Sequence, residues 1–381
     1  GQALPTDSHG LATMTRRRKI LGSIALILAV ALGALAFALS HESACTPAPA
    51  LADDAPRMKA IAHRCYGGPE VLKLEEIEKP VPADNEVLVK VHAAGVNPLD
   101  WHYLRGKPYI MRLSSGFGAP GTPRLGVDFA GTVEAVGSRV TRFKPGDAVF
   151  GAKRGAFAEY VRVPEDQSLV LKPDNVSFEQ AASAPIAAVT ALQALRDQGR
   201  LKPGQKVLIN GASGGVGTFA VQIAKALGAE VTGVCSTRNV AMVEALGADH
   251  VVDYTQEDFI EGGQVYDLVL DNVGNRPLSD YTDILKPDGI FVIIGGPNEG
   301  AWLGAMISPI KAKLLSPFVS QDFRFFLADA NPADLAVLGE MMQSGKLVPV
   351  IDRRYPLAEV PAAIAYLESG RARGKVVIDV P

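Results

Sequence analysis

Lys206-Val-Leu-Ile-Asn-Gly-Ala-Ser-Gly-Gly-Val-Gly217 decides the fold. Its first five residues are a short β-branched run, and a glycine-dense turn follows. Val216, Phe219, Ala220, Ile223 and Leu227 then keep helical spacing until Gly228 stops them. The order is strand, loop, helix. Glycines at 211, 214 and 217 permit a tight turn and let bare backbone approach a pyrophosphate, while the helix N-terminus offers unpaired N–H groups and a partial positive charge. A glycine triplet alone also fits a structural turn; its place between strand and helix points to a dinucleotide. Gly211, Ser213, Gly214, Gly215, Val216 and Gly217 are therefore candidate cofactor contacts.

Downstream, strands are expected at 230–235, 250–253, 266–271 and 289–295, separated by helical segments. That alternation indicates βαβ units and a parallel sheet. Upstream, a helix is expected from Phe178 to Gln198. Before it, short strands at 59–64, 71–77, 86–94, 131–136, 148–151 and 156–163 alternate with Pro and Gly clusters, the pattern of an irregular β-rich domain. Residues 113–125 read as a long loop of the kind that borders a site.

The start of the chain has another character. Residues 1–13 are polar, and Met14 is the expected natural start. Arg16-Arg17-Arg18-Lys19 precede Ile20–Leu39, an uncharged stretch long enough to span a bilayer and longer than the ~7–15-residue core of a signal peptide. An uncleaved anchor is the expectation. Basic residues before the span and Asp53-Asp54 after it predict that the bulk of the chain crosses the membrane. Nicotinamide cofactors are ordinarily cytosolic, so this orientation and the glycine loop pull apart. Residues 41–57, rich in Ala and Pro, read as a linker.

The 381 residues exceed one ordinary domain, and 48% hydrophobic residues with 38 glycines and 26 prolines suit an α/β enzyme with many turns. A net charge of −3, with no basic stripe beyond 16–19, argues against a nucleic-acid partner. Cys45, Cys65 and Cys235 contain no CxxC pair and make no metal cluster; a Cys45–Cys65 disulfide is open if that segment is exported.

From Met58 to Pro381 the chain resembles the medium-chain dehydrogenase/reductases, specifically their zinc-free quinone oxidoreductase (zeta-crystallin-like) branch. The resemblance is carried by Gly204 to Lys225, Ala94-Gly-Val-Asn-Pro-Leu-Asp100, Leu125-Gly-Val-Asp-Phe-Ala-Gly131, Phe143-Lys-Pro-Gly-Asp-Ala-Val149, Gly155-Ala-Phe-Ala-Glu-Tyr160 and Gly370-Arg-Ala-Arg-Gly-Lys-Val-Val377. It implies an extension of 1–57 holding anchor and linker, a GroES-like domain of 58–178 completed by 329–381, and a Rossmann domain of 179–328. The site would lie in the cleft between the two domains. Zinc-dependent members carry a Cys where this chain has Asn97 and a His-Glu pair where it has Val127-Asp128; the four-cysteine lobe is also missing, so no metal is expected.

An NAD site needs an acid about twenty residues past the glycines. Ser236-Thr237-Arg238-Asn239 offers instead a guanidinium and hydroxyls suited to a 2′-phosphate, so NADPH is expected. The resemblance puts a Lys where Asn239 stands, a departure that Arg238 would have to make good, and gives Tyr254 a share in the phosphate. It makes Thr190 a nicotinamide-side contact, with plain helix packing as the alternative. Asn272, in Asp271-Asn-Val-Gly274, and Ile294-Gly-Gly296 end parallel strands, where ligands bind.

Candidate proton and carbonyl groups are Asn97, His102 and Tyr103, with Asp100 and Tyr160 as further relay candidates; Asn97 reads equally as the cap of the Pro98 turn and His102 as a structural histidine. Asp128 is expected to organise its loop. Residues 299–326 are unusually apolar and read as a covering helix with a strand that pairs across a dimer, or as a lid or membrane-resting face. The resulting expectation is a membrane-anchored NADPH-dependent reductase of a lipophilic quinone, enone or related carbonyl. The alternatives are alcohol oxidation and a non-catalytic cofactor-binding scaffold. The resemblance implies a homodimer.

Overall fold

The computed structural model describes residues 8–296 and 300–381. Residues 1–7 of the polar start and Glu299, which opens the apolar stretch, lie outside the described residues. Helix α1 (Ser8–Ser40) begins before the expected span, and its apolar part, Ile20–Ser40, leaves its large side chains uncovered from Ile20 to Phe37. At ~1.5 Å per residue these 21 residues reach across a bilayer's hydrocarbon core.

A first body follows. β1 (Arg57–Ala62) and β2 (Lys73–Glu78) form an antiparallel hairpin. β3 (Glu86–Val96) leads into α2 (Pro98–Arg105) and the short α3 (Arg112–Ser115), then β4 (Asp128–Val136), β5 (Ala148–Ala152), β6 (Tyr160–Pro164) and β7 (Leu169–Leu171). The expected 113–125 loop is pinned rather than free: Gly118 bridges to Glu42 and Arg124 to Ala62. The helix expected over 178–198 is broken into α4 (Phe178–Ser183), α5 (Pro185–Gln193) and a wider turn at Ala194–Gln198. Pro185 explains the break, because its ring removes a donor and clashes with the preceding turn.

The second body is built on β8 (Lys206–Asn210), α6 (Gly215–Ala226), β9 (Glu230–Cys235), α7 (Val240–Ala245), β10 (His250–Asp253), β11 (Tyr266–Asp271), β12 (Leu285–Ile293), α8 (Ile307–Leu315) and β13 (Asp322–Phe325). Its sheet runs β10-β9-β8-β11-β12-β13, all parallel, with the order reversing between β8 and β11. Ligands of open parallel sheets bind at such a reversal. The strand of the apolar stretch, β13, pairs with β12 of its own chain as the sixth member of this sheet.

The chain then returns through α9 (Pro332–Gln343), β14 (Ile351–Pro356), α10 (Val360–Glu368) and β15 (Lys375–Asp379). β15 lies antiparallel to β3, so the last strand completes the first sheet, ordered β14-β15-β3-β4-β5-β7 with β6 also on β3. One apolar cluster joins the bodies: Ala93, Ala130 and Phe150 of the first sheet, Val207 and Ile209 of the second and Phe219 of α6 share it with the alanine-rich α4–α5. Small side chains let these helices sit close to both sheets, which fixes the two sheets relative to each other.

Candidate active site

The glycine loop is shaped by close approach. Gly211 has φ +78°, a left-handed conformation, and a Cβ on Gly217 would lie 2.1 Å from the Gly211 carbonyl oxygen. The loop is tied to the far end of the chain, because Gly374 N–H donates to Ser213 O at 2.9 Å. Asn239, where the resemblance has a lysine, donates through Nδ2 to Ser213 Oγ at 3.0 Å and to Ser236 Oγ at 3.2 Å.

Three buried polar atoms around this loop lack partners among the described residues: Asn239 Oδ1, Asn272 Oδ1 and Arg373 Nε. Asn272 Nδ2 is meanwhile held by Asn210 O at 2.8 Å, which fixes the orphaned oxygen at the sheet's C-terminal edge. Unpaired buried atoms are costly. Two acceptors and a guanidinium donor beside a bare-backbone loop match the hydroxyls and phosphates of a dinucleotide, so the residues present fit a nicotinamide cofactor. When bound, that group supplies the hydride.

At the end of β9, Arg238 is exposed and donates to Arg371 O at 2.6 Å, while Tyr254 is largely exposed. Arg371 and Arg373 thus reach the same edge from the tail, a contribution that the sequence reading quoted but gave no role. A carboxylate also comes near from the next strand: Asp253 accepts from Thr255 N–H and Oγ1 and is held below the usual carboxylate range chiefly by Thr237. Ser236 is half-buried between these groups.

The candidate proton groups do not converge. Asn97 is buried, and both ends of its amide are engaged: Nδ2 donates to Asp128 Oδ2 at 2.9 Å, and Oδ1 accepts from Lys375 Nζ at 2.5 Å. It also begins α2, where its N–H donates to Asp100 at 2.8 Å. Asp128 accepts in addition from Ile186 N–H at 3.1 Å, so it organises the junction between β4 and α5. Lys375 is buried, 3.1 Å from Val96 O and 3.8 Å from Asp128. Burial drives the Asp128 carboxyl up to about 6 and the Asp100 carboxyl up to about 7, and lowers the Lys375 ammonium.

His102 and Tyr103 are successive helix residues and leave in different directions. His102 Nδ1 meets Lys107 O at 2.8 Å, its ring lies on Trp101, and it lines a cavity of about 450 Å³ with Trp101, Arg105, Pro108, Gly304 and Glu368. Tyr103 packs inward beneath the Arg154 guanidinium, 3.5 Å from the ring centre. Tyr160 lies elsewhere, packed under Lys79 against the β1–β2 hairpin. Thr190 Oγ1 donates to Ile186 O at 2.7 Å within α5. His63 escaped notice: it is buried, its Nδ1 has no partner among the described residues, and burial with nearby Arg154 drops its pKa to about 4.

A zinc ion does not fit. No group of three or more His, Cys, Asp or Glu side chains converges among the described residues, and the free cysteine among them, Cys235, is buried with its thiol pushed up to about 11 by burial.

A parallel sheet with a dinucleotide loop, set against an antiparallel sheet closed by the chain's own C-terminus, is the build of a two-domain nicotinamide-dependent oxidoreductase. Family models agree: the alcohol dehydrogenase GroES-like domain matches residues 83–174 and the zinc-binding dehydrogenase model residues 246–378. The mouse mitochondrial NAD(P)H oxidoreductase RTN4IP1 is 36% identical over 355 residues, covering 83% of this chain and 87% of the relative. The tomato (Solanum lycopersicum) 2-methylene-furan-3-one reductase is 35% identical over 339 residues, covering 84% and 79%. Among solved structures, the Coxiella burnetii quinone oxidoreductase superposes with TM-score 0.74 at 34% identity, covering 85% of this chain and all of its own. The Escherichia coli quinone oxidoreductase complexed with NADPH gives 0.71 at 29%, covering 85% and 99%. The chain belongs to the medium-chain dehydrogenase/reductases, in their zinc-free quinone oxidoreductase branch.

Proposed function

We propose that this protein reduces a quinone, enone or related carbonyl compound with NADPH, without a metal, while held at a membrane by α1. The observation that carries the reading is the loop 211–217 with the orphaned atoms of Asn239, Asn272 and Arg373 around it. Gly211, Ser213, Gly214, Gly215, Val216 and Gly217 hold the pyrophosphate, Asn272 and Thr190 lie toward the nicotinamide, and Ser236, Arg238 and Tyr254 take the 2′-phosphate with help from Arg371. The similar proteins named for quinones, for NADPH and for a furanone whose exocyclic methylene makes it an enone support the substrate class.

In this reading the cofactor carries the hydride, and the protein orients the carbonyl and furnishes a proton. His102, which faces the cavity, is the donor; Tyr103 and Asn97 position α2, Asn97 through its bonds to Asp128 and Lys375. Basic residues 16–19 before the span and the Cys45–Cys65 bond support a catalytic body on the exported side, since disulfides persist in oxidising compartments.

The test is steady-state oxidation of NADPH and NADH by the detergent-purified full chain against a panel of quinones and enals. Arg238→Ala should raise KM for NADPH far more than for NADH, and equal changes would remove the phosphate role. His102→Gln should lower kcat with cofactor KM unchanged. No turnover on any acceptor, despite tight NADPH binding, would overturn the catalytic reading.

A further inference from the structure

α1 runs straight into the body with no slack. Leu39 is buried, and the fully buried Arg112 guanidinium donates to Leu39 O and His41 O, both at 3.0 Å, and to the Glu42 carboxylate at 2.8 Å. The same guanidinium is sandwiched between the Tyr66 and Tyr109 rings, 4.3 and 4.7 Å away. Ser43 N–H donates to Gly118 O at 2.9 Å, and Cys45 is bonded to Cys65. The expected 41–57 linker is therefore strapped down over its first residues, and whatever surrounds Leu39 sits at the mouth of the apolar helix.

What surrounds it is an apolar rim. Ile110, Leu113 and Phe117 flank Arg112 in sequence and are 42%, 56% and 54% exposed. Trp302, Met306 and Ile310 belong to the segment that docks beside them and are 47%, 38% and 47% exposed. The docking is specific: Tyr109 N–H donates to Ala301 O at 2.7 Å, and the Tyr109 and Trp302 rings meet edge-on at 5.1 Å. From Gly300 to Phe318 the only charged residues are Lys311 and Lys313. A Trp and apolar side chains on a short segment with lysines and no carboxylate suit the boundary between headgroups and acyl chains, not open water.

We propose that this face is seated in the interfacial layer of the bilayer that α1 spans, so that the cavity edged by Pro108 and Gly304 opens at the membrane surface and takes its substrate from the lipid. This rests on reading α1 as an anchor, and it narrows the substrate to a carbonyl compound with an apolar tail. The occupant is lipid rather than a second copy of the chain because the rim adjoins the end of α1, where the strap at Leu39–Ser43 holds the body against the membrane.

The chain has two tryptophans, at 101 and 302. Full-length protein carrying Trp101→Phe reports from Trp302 alone when reconstituted in phosphatidylcholine vesicles brominated near the headgroup or deep in the acyl chain. Strong quenching by the shallow label and weaker quenching by the deep one is expected. Unquenched fluorescence in protein that floats with the vesicles overturns the seating and leaves the anchor standing; protein that fails to float overturns the anchor itself. Unquenched Trp302 in a chain of doubled mass assigns the face to a second copy and equally overturns the proposal. Met306→Glu with Ile310→Glu should lower turnover of a long-tailed quinone in vesicles about tenfold, because carboxylates would have to enter the acyl boundary, with a short water-soluble quinone unaffected. Equal losses on both quinones overturn the proposal.

Discussion

The ammonium of Lys375 lies 2.5 Å from the amide oxygen of Asn97, across 278 residues of sequence. The contact joins the last strand to the start of α2, and a Cβ on Gly215 would lie 3.3 Å from the Lys375 Cδ, so the same side chain also backs the glycine loop. Lys375→Met leaves the Asp128 carboxylate and the Asn97 oxygen buried with one partner fewer. Such a change costs about 3–5 kcal/mol when it strands a buried charge. Urea unfolding should show a lowered midpoint at unchanged slope, and adding Asp128→Asn should recover part of the loss. Strictly additive losses would show that the two side chains do not share an interaction.

Asp100 gives a pH signature. Burial raises its carboxyl to about 7 against the pull of the Asn97 and Gly126 N–H groups. Its folded value is thus above the unfolded value near 3.9. Its contribution to stability is full below that value and is lost as pH rises to about 7. Asp100→Asn removes this titration. The stability of the wild type relative to the variant should therefore fall between about pH 4 and 7, by at most about 1.4 kcal/mol per pH unit, and level off above. A difference that grows with pH would mean that the folded protein prefers the ionised form.

The glycine loop leaves no room for a methyl group at its last glycine. Gly217→Ala places Cβ 2.1 Å from the Gly211 oxygen and 2.8 Å from the Ala212 backbone, so the loop must move. Cofactor titration by fluorescence should show Kd raised by about tenfold or more, or ~1.4 kcal/mol. The overpacking cost to stability should stay within about 1–3 kcal/mol. Unchanged affinity would separate this loop from the cofactor.

The Cys45–Cys65 bond closes a loop with a sequence separation of 20. Constraining a loop of that length in the unfolded chain is worth about 3 kcal/mol. Cys45→Ser should lower the thermal midpoint, and reductant should lower the wild type to match but leave the variant unmoved. Identical midpoints in all three states would make the bond energetically idle.

The elements whose signal is local were legible in the sequence. The strands at 206–210, 230–235, 250–253 and 266–271 fall where alternating strand and helix patterns put them, and the inner three read clearly because a parallel strand buried on both faces is an almost unbroken apolar run. The break at Pro185 was missed by the expectation of one helix over 178–198, although the proline ring carries its signal. What escaped was everything assembled from afar. Asn97, Asp128, Ile186 and Lys375 come from four elements and share no spacing, so the engagement of the Asn97 amide has no sequence signature beyond a single lysine opening an apolar strand. The strap over 41–45 was hidden by an Ala- and Pro-rich composition that looks like a free linker, while its true partner, Arg112, stands just before the stretch that reads as a loop. His63 was similarly masked by its apolar neighbours.

The closing strand β15 has a consequence for how the protein is made. It fits between β3 and β14, yet β3 is synthesised among the first quarter of the chain and β15 with the last residues. Until the whole second body has been made, the first sheet stays unfinished, with the Ala93–Val96 end of the β3 edge unpaired, since β6 covers only Glu86–Lys90. Exposed edges of this kind invite wrong pairing. Truncations that remove Lys375–Pro381 should therefore leave that end of β3 exposed and make the protein more susceptible to proteolysis.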